Sequence, residues 1–131
     1  MITLKTLPQA TEQEVFDQVA KHLLTQGEKS EIPEVELDGA KCMYRHANLK
    51  CAAGCLIADE EYTEDLEGTD WYGLAHNSRV PQQHIELIAL LQRIHDESYP
   101  TEWYLALKHF ALNRKLNTTN LDKAAEENCY L

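Results

Sequence analysis

The chain has 131 residues, which fits a single domain spanning 1–131, and its apolar content of 44% indicates a packed core rather than a disordered chain. Because 22 acidic residues oppose 12 Lys and Arg, the net charge of −10 argues against binding to nucleic-acid phosphates and favours solubility or attraction to a basic partner. The chain has no apolar run long enough to cross a bilayer, and residues 1–5 lack the pattern of a signal peptide. We therefore expect a cytoplasmic protein without membrane contact.

The first predicted helix covers residues 11–26. Thr11 and Glu14 form a capping box at its start, and Gly27 is well placed to end it in a left-handed conformation. Six apolar residues recur at helical spacing and predict one buried stripe: Val15, Phe16, Val19, Ala20, Leu23 and Leu24.

The cysteine-rich segment that follows permits two local structures. Residues 28–41 are polar and predict a loop, in which Val35 and Leu37 could form a short edge strand. Residues 42–57 predict a hairpin with strands at 42–45 and from 50 onward, but 51–57 fit a buried helical turn equally well. Gly54, set among small side chains, predicts the close approach of another backbone.

Seven acidic residues and no basic residue occupy 58–70, which predicts a short helix interrupted by turns, with Tyr62 and Leu66 pointing inward.

A helix is predicted over 81–97, with Pro81 in its first turn. Its apolar stripe is Ile85, Ile88, Leu91 and Ile94, widened by Leu87 and Leu90. Part of this apolar surface could serve a homodimer, and a monomer is the alternative.

Two more helices complete the predicted fold. Pro100 ends the preceding helix, and 101–115 begin another whose stripe is Trp103, Ala106, Leu107, Phe110 and Ala111. A last short helix runs over 121–127, capped by Thr119 or Asn120. The sequence therefore predicts a mainly α fold: a single compact domain of four or five helices with a small hairpin or irregular insert around residues 35–57.

The cysteine segment offers two chemical interpretations besides simple burial in a core. Cys42, His46, Cys51 and Cys55 have the ligand types of a zinc site, but their C-x3-H-x4-C-x3-C spacing matches no common zinc motif. A catalytic thiol would need a nearby base, and His46 or His76 with Asn77 could supply one, without a family signature. We therefore predict no enzymatic activity, no catalytic residue and no cofactor, with zinc as the lesser alternative.

The acidic segment is the predicted partner-binding face. A small acidic protein with exposed aromatic anchors suits a partner with a basic surface. The residues predicted to form this face are Asp59, Glu60, Glu61, Glu64, Asp65, Glu67, Asp70, Trp71 and Tyr72.

Two segments carry a resemblance to a family. The first is Cys42-Met-Tyr-Arg45 followed by Leu49-Lys-Cys-Ala-Ala-Gly-Cys-Leu-Ile-Ala-Asp59-Glu-Glu-Tyr62, and the second is Leu90-Leu-Gln-Arg-Ile-His-Asp96 with a following Trp103. Both resemble segments of small uncharacterised proteins of tailed bacteriophages and prophages. The resemblance covers roughly residues 12–112 and brings no catalytic residues with it. It implies a viral accessory protein in the cytoplasm of a bacterial host, where it would inhibit or modulate a host protein such as a defence system.

Overall fold

A computed structural model describes residues 1–32 and 41–131 of the protein. These residues form five α-helices: α1 (Glu12–Gln26), α2 (Trp71–His76), α3 (Ile85–Glu97), α4 (Trp103–Asn113) and α5 (Thr119–Glu127). The prediction of a mainly α, single compact domain is confirmed. In this described part of the chain, every helix is too short or too polar to span a membrane.

Helix α1 forms as its sequence predicts. The Glu14 N–H donates to the Thr11 hydroxyl at 3.1 Å, and the Thr11 N–H donates back to the Glu14 carboxylate at 2.8 Å. Gly27 ends the helix with a φ of 68°, and its N–H donates to the Leu23 carbonyl. All six residues of the predicted stripe are buried, because α1 packs against α3, α4 and α5. One of these contacts is the stacking of Phe16 on Phe110, with ring centroids 6.1 Å apart.

Two short pairs of antiparallel strands lie within and just before the predicted insert. Strand β1 (Glu31–Ile32) pairs with β2 (Lys41–Cys42), and β3 (Arg45–His46) pairs with β4 (Leu49–Lys50). The predicted hairpin therefore exists, but its first strand lies at 45–46 rather than 42–45, and Cys42 pairs with a different strand. Residues 51–57 take the alternative structure, because Gly54–Leu56 form a 3-10 turn. The predicted strand at Val35 and Leu37 lies outside the described residues.

Gly54 sits where another backbone passes, as predicted. A Cβ atom built on it would lie 2.1 Å from the carbonyl oxygen of Tyr44, far inside contact distance. The same contact region includes the hydrogen bond from the Cys51 N–H to the Tyr44 carbonyl at 3.3 Å. The small side chains around Gly54 therefore let the 3-10 turn pack directly against the chain entering β3.

Three helices differ from the prediction. Helix α5 begins at Thr119 rather than at 121, so the predicted caps Thr119 and Asn120 lie inside the helix, and Thr118 is the N-cap. Helix α3 begins at Ile85 rather than at Pro81, because His84 takes a left-handed conformation with a φ of 64° and starts the helix there. Helix α2 was not predicted; it begins at Trp71 because the Asp70 carboxylate accepts a hydrogen bond from the Gly73 N–H at 2.8 Å. Between the first helix and α2, the acidic segment forms 3-10 turns at Asp59–Glu61 and Glu64–Leu66, as the interrupted pattern predicted.

Candidate functional site

Glu61, a member of the predicted binding face, is a structural carboxylate. It accepts the N–H of Leu4 at 2.9 Å, of Lys5 at 3.0 Å and of Ala58 at 2.9 Å. The first two donors are more than 50 residues away along the chain, so Glu61 fixes the N-terminal segment to the acidic segment. Its charge is therefore already used by backbone donors and is a weak candidate for partner recognition.

Glu67 does the same for the start of β3. Its Oε1 accepts the N–H of Tyr44 at 2.9 Å, and its Oε2 accepts the N–H of Arg45 at 3.1 Å. Oε2 also accepts the hydroxyl of Tyr62 at 2.7 Å. Burial, together with this hydrogen bond to a carboxylate, raises the pKa of Tyr62 to about 12. Tyr62 therefore remains a hydrogen-bond donor at neutral pH.

Two further acids of the segment are paired with arginines and stay exposed. The Arg45 guanidinium contacts the Asp59 carboxylate at 2.7 Å, with the Lys50 ammonium 3.7 Å away. The Arg79 guanidinium contacts Asp65 at 3.0 Å. The hydrogen bonds from the two arginines hold the pKa of both aspartates below the ordinary value. These exposed pairs contribute little to stability, since water screens them.

The aromatic residues at the end of the segment have different environments. Trp71 is 2% exposed and packs edge-on against Tyr44, so it belongs to the core and is not available to a partner. The prediction that Trp71 contacts a partner is therefore wrong. Asp70 caps the start of α2, and the first residue of that helix, Trp71, turns its indole into the core. Tyr72, the next residue, is 52% exposed and remains available as an anchor.

Glu60 and Glu64 are the acids of this face that the fold does not use. Both are exposed, and within the described residues neither carboxylate has a hydrogen bond or an ion pair. Seven acids stand here against three cations, Arg45, Lys50 and Arg79, so the face keeps an excess of negative charge. The predicted face therefore offers fewer residues to a partner than expected, but its charge is still negative.

A cleft of about 460 Å³ continues this surface toward α3. Tyr72 lines it, together with the acids Glu67 and Asp70 from one side and Asp96 and Glu97 from α3. Arg93 is the cation in its lining. The Arg93 guanidinium lies 3.4 Å from the Glu97 carboxylate, so the other three carboxylates leave an excess of negative charge in the described lining of the cleft.

Beneath the cleft, α3 is tied to the hairpins by a polar network centred on Asp96. The Ser30 N–H donates to His95 Nε2 at 3.1 Å, and His95 Nδ1 lies 2.8 Å from Asp96 Oδ1. The Gln92 amide donates to the same Asp96 oxygen at 2.7 Å, while its own oxygen accepts the Ala53 N–H at 2.9 Å. His95 is fully buried and stacked on Trp103, so this network joins three parts of the core.

The network brings together ligand types for a metal, but their protonation opposes binding. Cys42, His95 and Asp96 each offer a ligand atom within 4.8 Å of the others. Because Nε2 of His95 accepts a backbone N–H, its proton resides on Nδ1, where it donates to Asp96. A histidine that binds a metal through Nδ1 carries its proton on Nε2 and donates it to an acceptor. At His95 the group facing Nε2 is the Ser30 N–H, which is itself a donor. The geometry therefore fits a neutral structural histidine better than a zinc ligand.

The zinc set predicted from the sequence is not assembled. Among the described residues, Cys42 lies with His95 and Asp96, not with His46, Cys51 and Cys55. The Cys55 thiol instead donates to the Ala52 carbonyl at 3.2 Å, and Cys51 Sγ accepts the Gly54 N–H at 3.2 Å. These contacts close the local 3-10 turn and leave the sulfur atoms engaged with the backbone.

Cys42 and Cys51, which line the cleft, and the neighbouring Cys55 are also poorly suited to nucleophilic chemistry. Burial and then the Asp96 carboxylate raise the pKa of Cys42 to about 12, and burial raises the pKa of Cys55 to about 12. Burial places the pKa of Cys51 well above its ordinary value. A thiol attacks as the thiolate, so a raised pKa disfavours a nucleophilic role for these side chains at neutral pH.

His95 is the site residue that the sequence analysis missed. It lies four residues after Leu91 and seven after Ile88, both buried, so it continues the apolar stripe of α3. That periodicity was the signal for a buried histidine.

No protein-family model, curated protein or solved structure matches this chain. A function for it therefore depends on the geometry of its own residues.

Proposed function

We propose that the protein is a non-enzymatic, phage-encoded accessory protein that binds a host protein with a basic surface and inhibits or modulates it. The resemblance of residues 42–45, 49–62 and 90–96, with the following Trp103, to phage proteins supports the viral origin and the host cytoplasm as its location. A host defence system is one target of this kind. The contact surface is the acidic face, now defined by Glu60, Glu64 and Tyr72.

The observation that carries this proposal is that Glu60 and Glu64, which have no hydrogen-bond or ion-pair partner among the described residues, lie in a segment that contains seven acids. Carboxylates such as Glu61 and Glu67 hold backbone N–H groups, and their charge serves the fold. Glu60 and Glu64 have no such role within the described residues, yet they add to the local repulsion of an already acidic segment. A basic partner surface would relieve that repulsion, and the attraction would speed the encounter of the two proteins.

The cleft gives the acidic face a concave receptor. A lysine or arginine side chain of the partner would enter beside Tyr72, where it would contact the Asp70 oxygen that does not cap α2 and compete with Arg93 for Glu97. Tyr72, half exposed at this cleft, supplies the aromatic contact area typical of binding hot spots. Guanidinium or ammonium groups bind such aromatic and carboxylate surroundings favourably.

The capture of a partner by charge-reversed variants tests the proposal. The protein carrying Glu60→Lys and Glu64→Lys is immobilised beside the unmodified protein, and retained proteins are quantified from a bacterial lysate. The matched control carries Glu126→Lys and Glu127→Lys on α5, which are also exposed and unpaired within the described residues. Both variants change the net charge by the same amount, so they differ in where the charge lies.

We expect one basic protein to be retained by the unmodified protein and by the α5 control, and lost from the variant at 60 and 64. Circular dichroism should show all three proteins folded, since neither pair of substitutions touches the core. Equal retention by the two variants would contradict the acidic face as the contact surface. Retention of no specific protein by any of the three would contradict the binding function itself.

A further inference from the structure

A second cavity, of about 860 Å³, is lined by residues of α1, α5 and β4. Each of these elements contributes one lysine to the lining: Lys21 from α1, Lys123 from α5 and Lys50 from β4. The acids of the described lining are Asp17 and Glu127. The chain as a whole has a net charge of −10, so this cavity, which we call the lysine cavity, has the opposite balance of charge.

The two helix lysines of the lysine cavity have no counter-ion in contact. Lys21 and Lys123 are exposed and form no ion pair within the described residues, although each has an acid of the lining one turn away on its own helix. Asp17, which lies one turn before Lys21, instead accepts the side-chain amides of Gln13 and Asn120, each at 2.9 Å. Because α1 packs against α5, two like charges are held beside one cavity, and an anion in that cavity would relieve their repulsion.

The third lysine keeps part of its charge for the cavity, and two neutral residues of the lining add none. Lys50 lies 3.7 Å from the Asp59 carboxylate, which Arg45 contacts at 2.7 Å, so two cations share that one acid. Burial lowers the pKa of His22, and burial raises the pKa of Cys55 to about 12, so both of these lining residues are uncharged at neutral pH. The balance of charge in the lysine cavity is therefore set by its lysines and its two acids.

We propose that the lysine cavity binds a small soluble ligand through a phosphate or diphosphate group. A phosphate monoester carries nearly two negative charges at neutral pH and accepts hydrogen bonds at three oxygens, whereas a carboxylate carries one charge. Lysines that come from three elements can contact such a group from different sides. The volume of the cavity lies within the range of about 300–1,000 Å³ that is typical of small-molecule sites.

A small ligand fits this cavity better than a nucleic acid does. The phosphates of a nucleic acid would extend beyond the cavity and meet the repulsion of a chain with a net charge of −10. Charges farther apart than about 10 Å are largely screened at 0.1 M salt, so a ligand that stays inside the cavity is governed by the lysines beside it. The lysine cavity shares no described lining residue with the acidic face, so this site does not depend on the proposed protein partner.

The first test measures the binding of inorganic pyrophosphate by calorimetry, in a buffer without phosphate or divalent metal. The unmodified protein should bind one pyrophosphate per chain, and Lys21→Gln with Lys123→Gln should weaken binding by at least ~10-fold, because each lost lysine removes a hydrogen bond to a charged group. Lys5→Gln with Lys115→Gln is the matched control, since these two lysines are also exposed and lie outside the described lining of the cavity. The control should bind as the unmodified protein does, and circular dichroism should show that both variants are folded.

The second test places the bound pyrophosphate by NMR. The ring signals of His22, which lines the lysine cavity, should shift during the titration, whereas those of His109 on α4, outside the described lining, should not. The proposal is overturned if the unmodified protein does not bind pyrophosphate, if the two double variants lose affinity equally, or if His109 responds and His22 does not. Tighter binding of a short DNA duplex, or of vesicles containing phosphatidic acid, than of pyrophosphate would overturn the assignment to a small soluble ligand.

Discussion

Replacing Glu67 with glutamine should destabilise the protein, although it exchanges only one carboxylate oxygen for an NH₂ group. The carboxylate accepts three hydrogen bonds, from the N–H of Tyr44, the N–H of Arg45 and the hydroxyl of Tyr62. Glutamine retains one acceptor oxygen and turns an NH₂ group toward a donor, so at least one backbone N–H loses its partner. An unsatisfied donor in a partly buried site costs about 1–3 kcal/mol, and the loss of the charge adds to it, so we expect a decrease of about 2–3 kcal/mol.

The free energy of unfolding is measured by urea titration, with the fluorescence of the two buried tryptophans, Trp71 and Trp103, as the probe. For a domain of this size the expected decrease corresponds to a fall in Tm of about 8–12 °C. Glu64→Gln is the matched control, because its exposed carboxylate has no partner within the described residues, and its effect should stay below about 0.5 kcal/mol. Equal stability of Glu67→Gln and Glu64→Gln would refute the division of the acidic segment into structural and unpaired carboxylates.

Three other predictions concern the turn and the polar network beneath the cleft. Gly54→Ala should cost at least about 3 kcal/mol in urea unfolding, since its Cβ would lie 2.1 Å from the Tyr44 carbonyl oxygen; a cost below 1 kcal/mol would contradict the close approach. Burial by itself raises the pKa of Asp96, but hydrogen bonds from His95, Cys42 and Gln92 outweigh it and leave the pKa below its ordinary value. The Asp96 carboxylate therefore contributes to stability above the unfolded-state pKa of about 3.9, and this contribution is lost as pH falls through the folded-state pKa. The Asp96→Asn variant should be less stable than the unmodified protein at pH 7, and its stability should fall less steeply in acid. An unchanged pH profile would count against the network. With a thiol reagent at neutral pH, Cys129 should react first and the other three cysteines only on unfolding, and elemental analysis should find no stoichiometric zinc; one zinc per chain would contradict the neutral tautomer assigned to His95.

The features predicted correctly from the sequence depend on near neighbours. The capping box of α1 joins Thr11 to Glu14, and its apolar stripe repeats within one helix, so both can be read from the spacing. Gly54 could also be interpreted locally, because small side chains on both sides indicate a crowded backbone. For the same reason the two helices after α3 fall close to their predicted positions.

The features that were missed depend on contacts between distant residues. Glu61 and Glu67 have the same composition around them as Glu60 and Glu64, and what separates the two pairs is a set of backbone donors up to 57 residues away. The strand that contains Cys42 was also predicted wrongly because of a long-range contact. Cys42 pairs with Glu31 in the β1–β2 pair and is not part of β3. Long-range pairing of this kind leaves little trace in the local pattern of one sequence.

The most direct test of the account is the salt dependence of partner binding. For the host protein captured by the acidic face, the Kd is measured by calorimetry at several ionic strengths, for the unmodified protein and for Glu60→Gln with Glu64→Gln. Charge attraction is screened over about 10 Å at 0.1 M salt, so the unmodified protein should bind more weakly as salt rises. The variant should bind less tightly at low salt and approach the unmodified protein at high salt. A Kd that is independent of salt and equal in the two proteins would contradict recognition of a basic partner by Glu60 and Glu64.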